Sequence, residues 1–182
     1  MFGNLLAKSI FKLSGWTLNG GMPHGVKKAI MIAAPHTSNW DFIYARAAFY
    51  LMGVPVKITI KKEAFVFPMG PLLKALGAIP VDRKKNNNLV AAMVDLFKER
   101  DELVMLVTPE GTRKYQPRWK KGFYYTALGA NVPIVMGYLD YAKKEAGIGP
   151  MIQPTGDFDA DMEKILNFYR TVTAKYPSQG VR

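Results

Sequence analysis

Short apolar runs separated by polar turns and helical stretches recur along this chain, and that alternation constrains the fold more than any other feature. Ala29-Ile30-Met31-Ile32-Ala33-Ala34 has the length and continuity of a strand buried on both faces, and Pro35 ends it. Val56–Ile60, Ala78–Asp82, Leu103–Val107 and Pro133–Leu139 predict further strands, with a weaker one near Met151. Pro80 sits inside the third run, which points to an irregular or edge position. Between the runs, helices are predicted at Asn39–Met52, over a short proline-broken stretch from Ala64 to Leu76, and at Asn86–Arg100. Two more follow near Lys121–Leu128 and at Asp159–Lys175. Ahead of them, Phe2, Leu5, Leu6, Ile10, Leu13 and Trp16 recur at helical spacing, with Lys8 and Lys12 toward one flank: an amphipathic helix ending near Gly15. Strands alternating with helices predict an α/β fold, a single layered domain with a mostly parallel sheet flanked by helices. Residues 1–18 form the amphipathic N-terminal segment and 19–182 the main domain.

Composition narrows the function classes. At 182 residues, 49% hydrophobic and 21% charged, the chain can build one full core. Its 25 Lys and Arg against 14 Asp and Glu give a net charge of +11, a surface that attracts phosphates on nucleic acid, anionic lipid or a metabolite. With no cysteine, disulfides, thiolate metal sites and a cysteine nucleophile are excluded, and with two histidines a site of several His ligands is not available. No metal is expected. The uncharged run Gly122–Leu139 is cut by Gly129, Asn131, Pro133 and Gly137, so it reads as a helix and a strand of the core and not as a membrane span. The N-terminal stretch lacks the basic leader and clean apolar core of a signal peptide, which predicts a cytoplasmic chain.

In open parallel sheets, ligands collect beyond the carboxyl ends of the strands. The first four predicted strands run into Pro35–Asp41, Lys61-Lys62, Arg83-Lys84-Lys85 and Pro109–Lys114, so one edge would gather a histidine, acids and several cations. His36 and Asp41 are five positions apart, which on one continuous helix turns their side chains roughly 140° from each other. With His36 in the turn and Asp41 in the first helical turn, however, the carboxylate can accept from one imidazole nitrogen and leave the other as a base. The alternative is a histidine at a helix start with Asp41 placed to suit the helix dipole. Gly111 allows a turn after the fourth strand, from which Arg113 could present its planar fork to a phosphate, with Thr112 as an added donor. A solvated turn carrying a surface cation is the other reading, and Arg83 admits the same pair.

The strings His36-Thr37-Ser38-Asn39-Trp40-Asp41, Gly77-Ala78-Ile79-Pro80-Val81-Asp82-Arg83, Pro109-Glu110-Gly111-Thr112-Arg113 and Val132-Pro133-Ile134-Val135 occur in the order and spacing of the four motifs of the glycerolipid acyltransferase family, which includes the lysophosphatidate acyltransferases. Lys120-Lys121-Gly122-Phe123 also resembles that family's basic stretch after the third motif. The resemblance implies that residues 19–182 are an acyltransferase domain in which His36 is the general base and Asp41 its orienting partner. Arg83, Glu110, Gly111 and Arg113 would help to hold the acceptor, with Thr112 and Lys61 alongside. Val132–Val135 would serve the donor side or pack nearby. The donor would be acyl-CoA or acyl-carrier protein, no cofactor would be needed, and direct attack on the thioester is favoured over an acyl-enzyme.

The chain departs from the family pattern at Pro35, where asparagine is common, at Thr108, where phenylalanine is common, and at the bulky Trp40. These border the acceptor site, so a non-phosphorylated lipid acceptor stands beside a lysophospholipid. Phe2–Trp16 is the expected contact with an anionic membrane, which would make the protein peripheral on the cytoplasmic face. A nucleic-acid-binding protein would account for the charge and the interleaved aromatics but gives no reason for the His36–Asp41 spacing, so no nucleic-acid partner is expected. His24 reads as a solvated loop residue, and Tyr124 and Tyr125 read as core.

Overall fold

The computed structural model describes residues 2–81 and 89–182. Among these, helix α1 spans Phe2–Ser14, strand β1 Thr17–Asn19, β2 Lys28–Ala33, α2 Trp40–Met52, β3 Val56–Lys61, α3 Met69–Ala75 and β4 Ala78–Val81. Then come α4 Leu89–Lys98, β5 Leu103–Val107, α5 Gly122–Ala130, β6 Ile134–Asp140, β7 Glu145–Ile152 and α6 Phe158–Arg170. The strands form one seven-stranded sheet in the order β1-β7-β6-β2-β5-β3-β4. From β6 to β4 all neighbours are parallel, while β7 runs antiparallel to β6 and β1 parallel to β7. The carboxyl ends of β2, β3, β4 and β5 therefore lie along one edge, while Arg83-Lys84-Lys85, expected beyond β4, lie outside the described residues. β4, which carries Pro80, is an edge strand, where a missing N–H on the outer side costs no ladder bond.

Residues alternate between the two faces, as pleating requires. Ile30, Ile32, Met105, Ile134 and Met136 face α4, α5 and α6, where they join Met93, Phe97, Phe123, Tyr124, Ile165 and Tyr169 in the larger core. Met31, Val104 and Val135 face the other way, toward Phe49 of α2. Val132, Ile134 and Val135 are buried among these cores, so the fourth motif packs. Tyr124 is buried as expected; Tyr125, also expected in the core, is 44% exposed. His24 lies exposed in a turn.

α1 lies against α2. Ala7 and Phe11, with Trp16 just past the helix, are buried against Ala47 and Ala48. Small residues permit the approach: a Cβ on Gly3 would stand 3.2 Å from the Tyr50 ring. The apolar positions expected to form one face are thus divided, because Leu5, Leu6 and Leu13 point to solvent at 66, 53 and 88% exposure. The helix stops at Ser14, and Thr17 and Leu18 belong to the sheet. No helix among the described residues is long and apolar enough to cross a membrane.

Candidate active site

The loop between β2 and α2 folds back on itself around Asp41. Thr37 and Ser38 donate their backbone N–H groups to Asp41 Oδ2, both at 2.8 Å, and His36 Nδ1 lies 3.1 Å from the same oxygen. The other oxygen, Oδ1, accepts the Tyr141 hydroxyl at 2.6 Å. Burial pushes the Asp41 carboxyl up, but hydrogen bonds from His36, Tyr141, Ser38 and Thr37 together outweigh it and hold the group below the usual carboxylate range. An ionised Asp41 can only accept, so His36 Nδ1 carries the proton of that bond, which in a neutral imidazole leaves the lone pair on Nε2. The five-residue spacing works because His36 stays in the turn and only Asp41 enters the helix.

Glu110, in the loop after β5, is 7% exposed. Both of its carboxyl oxygens accept the backbone N–H of His36, at 3.0 and 3.2 Å. Burial raises its pKa to about 7, against the lowering effect of the His36 hydrogen bond and charge and with a further rise from the charge of Asp41. Glu110 thus braces the His36 backbone. Next to it, Gly111 has φ +67, the left-handed region where a side chain is strained, and its N–H closes a turn onto Thr108 O at 3.1 Å.

The remaining predicted site residues fall in three groups. Arg113 donates to the side-chain oxygen of Asn39, at the start of α2, which brings its guanidinium beside the His36 loop. Thr112 Oγ1 accepts from Lys114 N within its own turn, at 3.4 Å. Lys61 ends β3 on the same sheet edge, two strands from β2, and Arg83 lies outside the described residues.

Beside His36 and Asp41 opens a cavity of about 500 Å³ between α2 and the sheet. Its wall runs from Ala45, Phe49 and Met52 of α2 to Ile58 of β3 and Leu106 of β5, with Arg46 among the few charged lining residues. The strand positions nearest the histidine are small, Ala33 and Gly137, where the same face one pleat back carries Met31 and Val135. That change of size is what leaves the face hollow.

Tyr141 escaped the sequence reading, although a signal existed. β6 runs parallel to β2, so its carboxyl end reaches the same edge and delivers Asp140-Tyr141 there; the fifth predicted strand warranted the same inspection as the first four.

These features are those of a known class. A family model described as Acyltransferase matches residues 20–137, and the chain belongs to that acyltransferase family. Over 85 residues it is 32% identical to 1-acyl-sn-glycerol-3-phosphate acyltransferase beta of Homo sapiens, a match covering 44% of this chain and 31% of that protein. Over 145 residues it is 30% identical to a 1-acyl-sn-glycerol-3-phosphate acyltransferase of Limnanthes alba, covering 74% of this chain and 49% of the relative. The chain thus spans less than half the length of these relatives. The crystal structure of the 1-acyl-sn-glycerophosphate (LPA) acyltransferase PlsC from Thermotoga maritima has the same fold, with a TM-score of 0.58 at 14% identity over 93% of this chain and 75% of that one.

Proposed function

We propose that the protein transfers a fatty acyl group from acyl-CoA or acyl-carrier protein to a hydroxyl of a lysophosphatidate-like acceptor, with His36 as general base and Asp41 as its orienting partner. The observation that carries this reading is the His36–Asp41 pair at the mouth of a largely apolar cavity. His36 Nε2 takes the acceptor hydroxyl proton as that oxygen attacks the thioester carbonyl. Collapse of the tetrahedral intermediate breaks the C–S bond, and the imidazolium returns the proton to the departing thiolate. Asp41 holds the tautomer and offsets the charge that His36 gains.

The cavity suits the acyl chain, being apolar along α2 and within the volume range of small-molecule sites. Arg113, beside the His36 loop through its bond to Asn39, carries a fork that fits a phosphate and would take that of the acceptor, with Lys61 at the end of β3 on the same sheet edge. Leu5, Leu6 and Leu13, flanked by Lys8 and Lys12, give α1 an outward apolar stripe with a basic border, the chemistry of a helix that lies in an anionic membrane surface.

The test is to incubate the purified chain with palmitoyl-CoA and lysophosphatidate and identify the product by mass spectrometry. Phosphatidate should form, and His36→Ala should lower turnover by roughly 10² to 10⁴ without loss of folding. Near-normal turnover of a folded His36→Ala protein would remove the mechanism, and acylation only of non-phosphorylated lipids would move the acceptor assignment to that class.

A further inference from the structure

Asp41 has two carboxyl oxygens, and the loop after β2 provides donors for only one. Thr37 N–H, Ser38 N–H and His36 Nδ1 all converge on Oδ2. Within that loop nothing satisfies Oδ1 of this buried carboxylate. The Tyr141 hydroxyl does so, at 2.6 Å, from one hundred residues further along the chain.

Tyr141 is itself fixed on several sides. It sits in the turn between β6 and β7, where Asp140 Oδ1 accepts the N–H groups of Ala142 and Lys143 at 3.0 and 3.2 Å. Its own N–H donates to Thr173 O at 2.8 Å. The Tyr141 ring meets Trp16 edge-on, with centroids 5.0 Å apart and planes at 88°, and Tyr44 at 6.1 Å and 84°. Trp16 in turn stacks on Tyr44 at 4.4 Å and 19°. Trp16 lies two residues past α1 and donates its N–H to Phe11 O at 3.0 Å, so the seating of the N-terminal helix reaches Asp41 through two rings.

We infer that Tyr141 is a positioning residue for the His36–Asp41 pair, and that the Trp16–Tyr44 stack braces the ring that does the positioning. The inference rests on His36 acting as the base. Its physical content is an aim and a full set of partners: the hydroxyl fixes the rotation of the Asp41 carboxylate and fills the acceptor that its own loop leaves open. A buried acceptor without a donor is costly, so removing the hydroxyl favours rotation of the carboxylate away from its bond with Nδ1. The plainer reading is that Tyr141 is a packing residue whose hydroxyl takes the nearest oxygen.

Tyr141→Phe separates the two, because phenylalanine keeps the ring and its packing and loses only the donor. The chain has two histidines, so ¹⁵N-histidine labelling with His24→Gln as the assignment control resolves the His36 tautomer. In the full chain, Tyr141→Phe should lower kcat roughly ten- to a hundredfold with KM nearly constant, and should shift His36 from the Nδ1–H toward the Nε2–H tautomer. Trp16→Leu should move both readouts the same way by less. An unmoved tautomer in folded Tyr141→Phe overturns the inference whatever the kinetics show. If the tautomer moves while the wild-type chain transfers no acyl group, the positioning role stands and the acyltransferase reading fails; if wild type is active and the tautomer does not move, the reverse holds.

Discussion

One face of the central sheet is packed solid by α4, α5 and α6, whereas the other, beneath α2, encloses a cavity of about 500 Å³ beside the histidine. Both faces are drawn from the same strands by alternation, so the difference lies in side-chain size. Ile30, Ile32, Met105, Ile134 and Met136 fill the first face at essentially no exposure. On the second, Met31 and Val135 fill the amino-terminal half, and Ala33 and Gly137 leave the carboxyl-terminal half open. The solid face backs the sheet, and the hollow face leaves the His36–Asp41 pair at the edge of a space.

A truncation on the solid face probes that division most strongly. Ile165 of α6 is fully buried there, and Ile165→Ala should destabilise the chain by about 2–5 kcal/mol in chemical denaturation, from lost burial and the void left behind. Activity per folded molecule should be unchanged. A loss under about 1 kcal/mol would mean that this face is not close-packed, and the contrast would fail.

Glu110 stands where the two faces meet. It holds the His36 backbone on one side, and on the other its charge adds to the burial that pushes the Tyr169 hydroxyl well above its ordinary range. Its own pKa of about 7 in the fold lies above the ordinary 4.5. The folded chain therefore binds that proton more tightly than the unfolded chain does. The resulting stability is fully present below pH 4.5 and is lost as pH rises to about 7, by at most about 3 kcal/mol. Glu110→Gln keeps an acceptor for His36 N–H and removes the titration. Wild type should thus melt several degrees lower relative to Glu110→Gln at pH 8 than at pH 4.5; a difference that stays constant with pH would show that burial of this carboxyl has no such consequence.

The parallel strands were legible because a strand buried on both faces must be apolar at every position, and Ala29–Ala34 and Leu103–Val107 are. β7 was legible only near Met151 because two of its residues are glycines that leave room for aromatic rings, Tyr138 at Gly147 and Phe168 at Gly149, and such a vacancy leaves no mark in a local pattern. β1 is three exposed residues and carries no apolar signal. In the site, the His36–Asp41 pairing could be read because both partners lie in one short segment, the loop after β2 and the first turn of α2. Tyr141 joins them only through the crossover that puts β6 beside β2. The apolar spacing of α1 was plain, but its buried side was not, since Ala7 and Phe11 make the contact and three leucines face out.

Adding volume to the hollow face, where the sheet should tolerate it, gives the finest test of the contrast. Ala45 lies on α2 in the cavity wall, and Ala45→Leu would place three more carbons in the space. If an acyl chain lies there, the enlarged side chain displaces about two of its methylenes, each worth about 0.8 kcal/mol of burial. kcat/KM for palmitoyl donors should then fall roughly tenfold while octanoyl donors are nearly unaffected, and the melting temperature should change little because half-buried Ala45 borders the open space. The same enlargement at Ala127, fully buried on the solid face, should instead cost about 1–3 kcal/mol of stability with no change in chain-length preference. Lower stability for Ala45→Leu with an unaltered chain-length profile would place the acyl chain elsewhere, and the open half of the second face would then be a packing feature with no part in substrate binding.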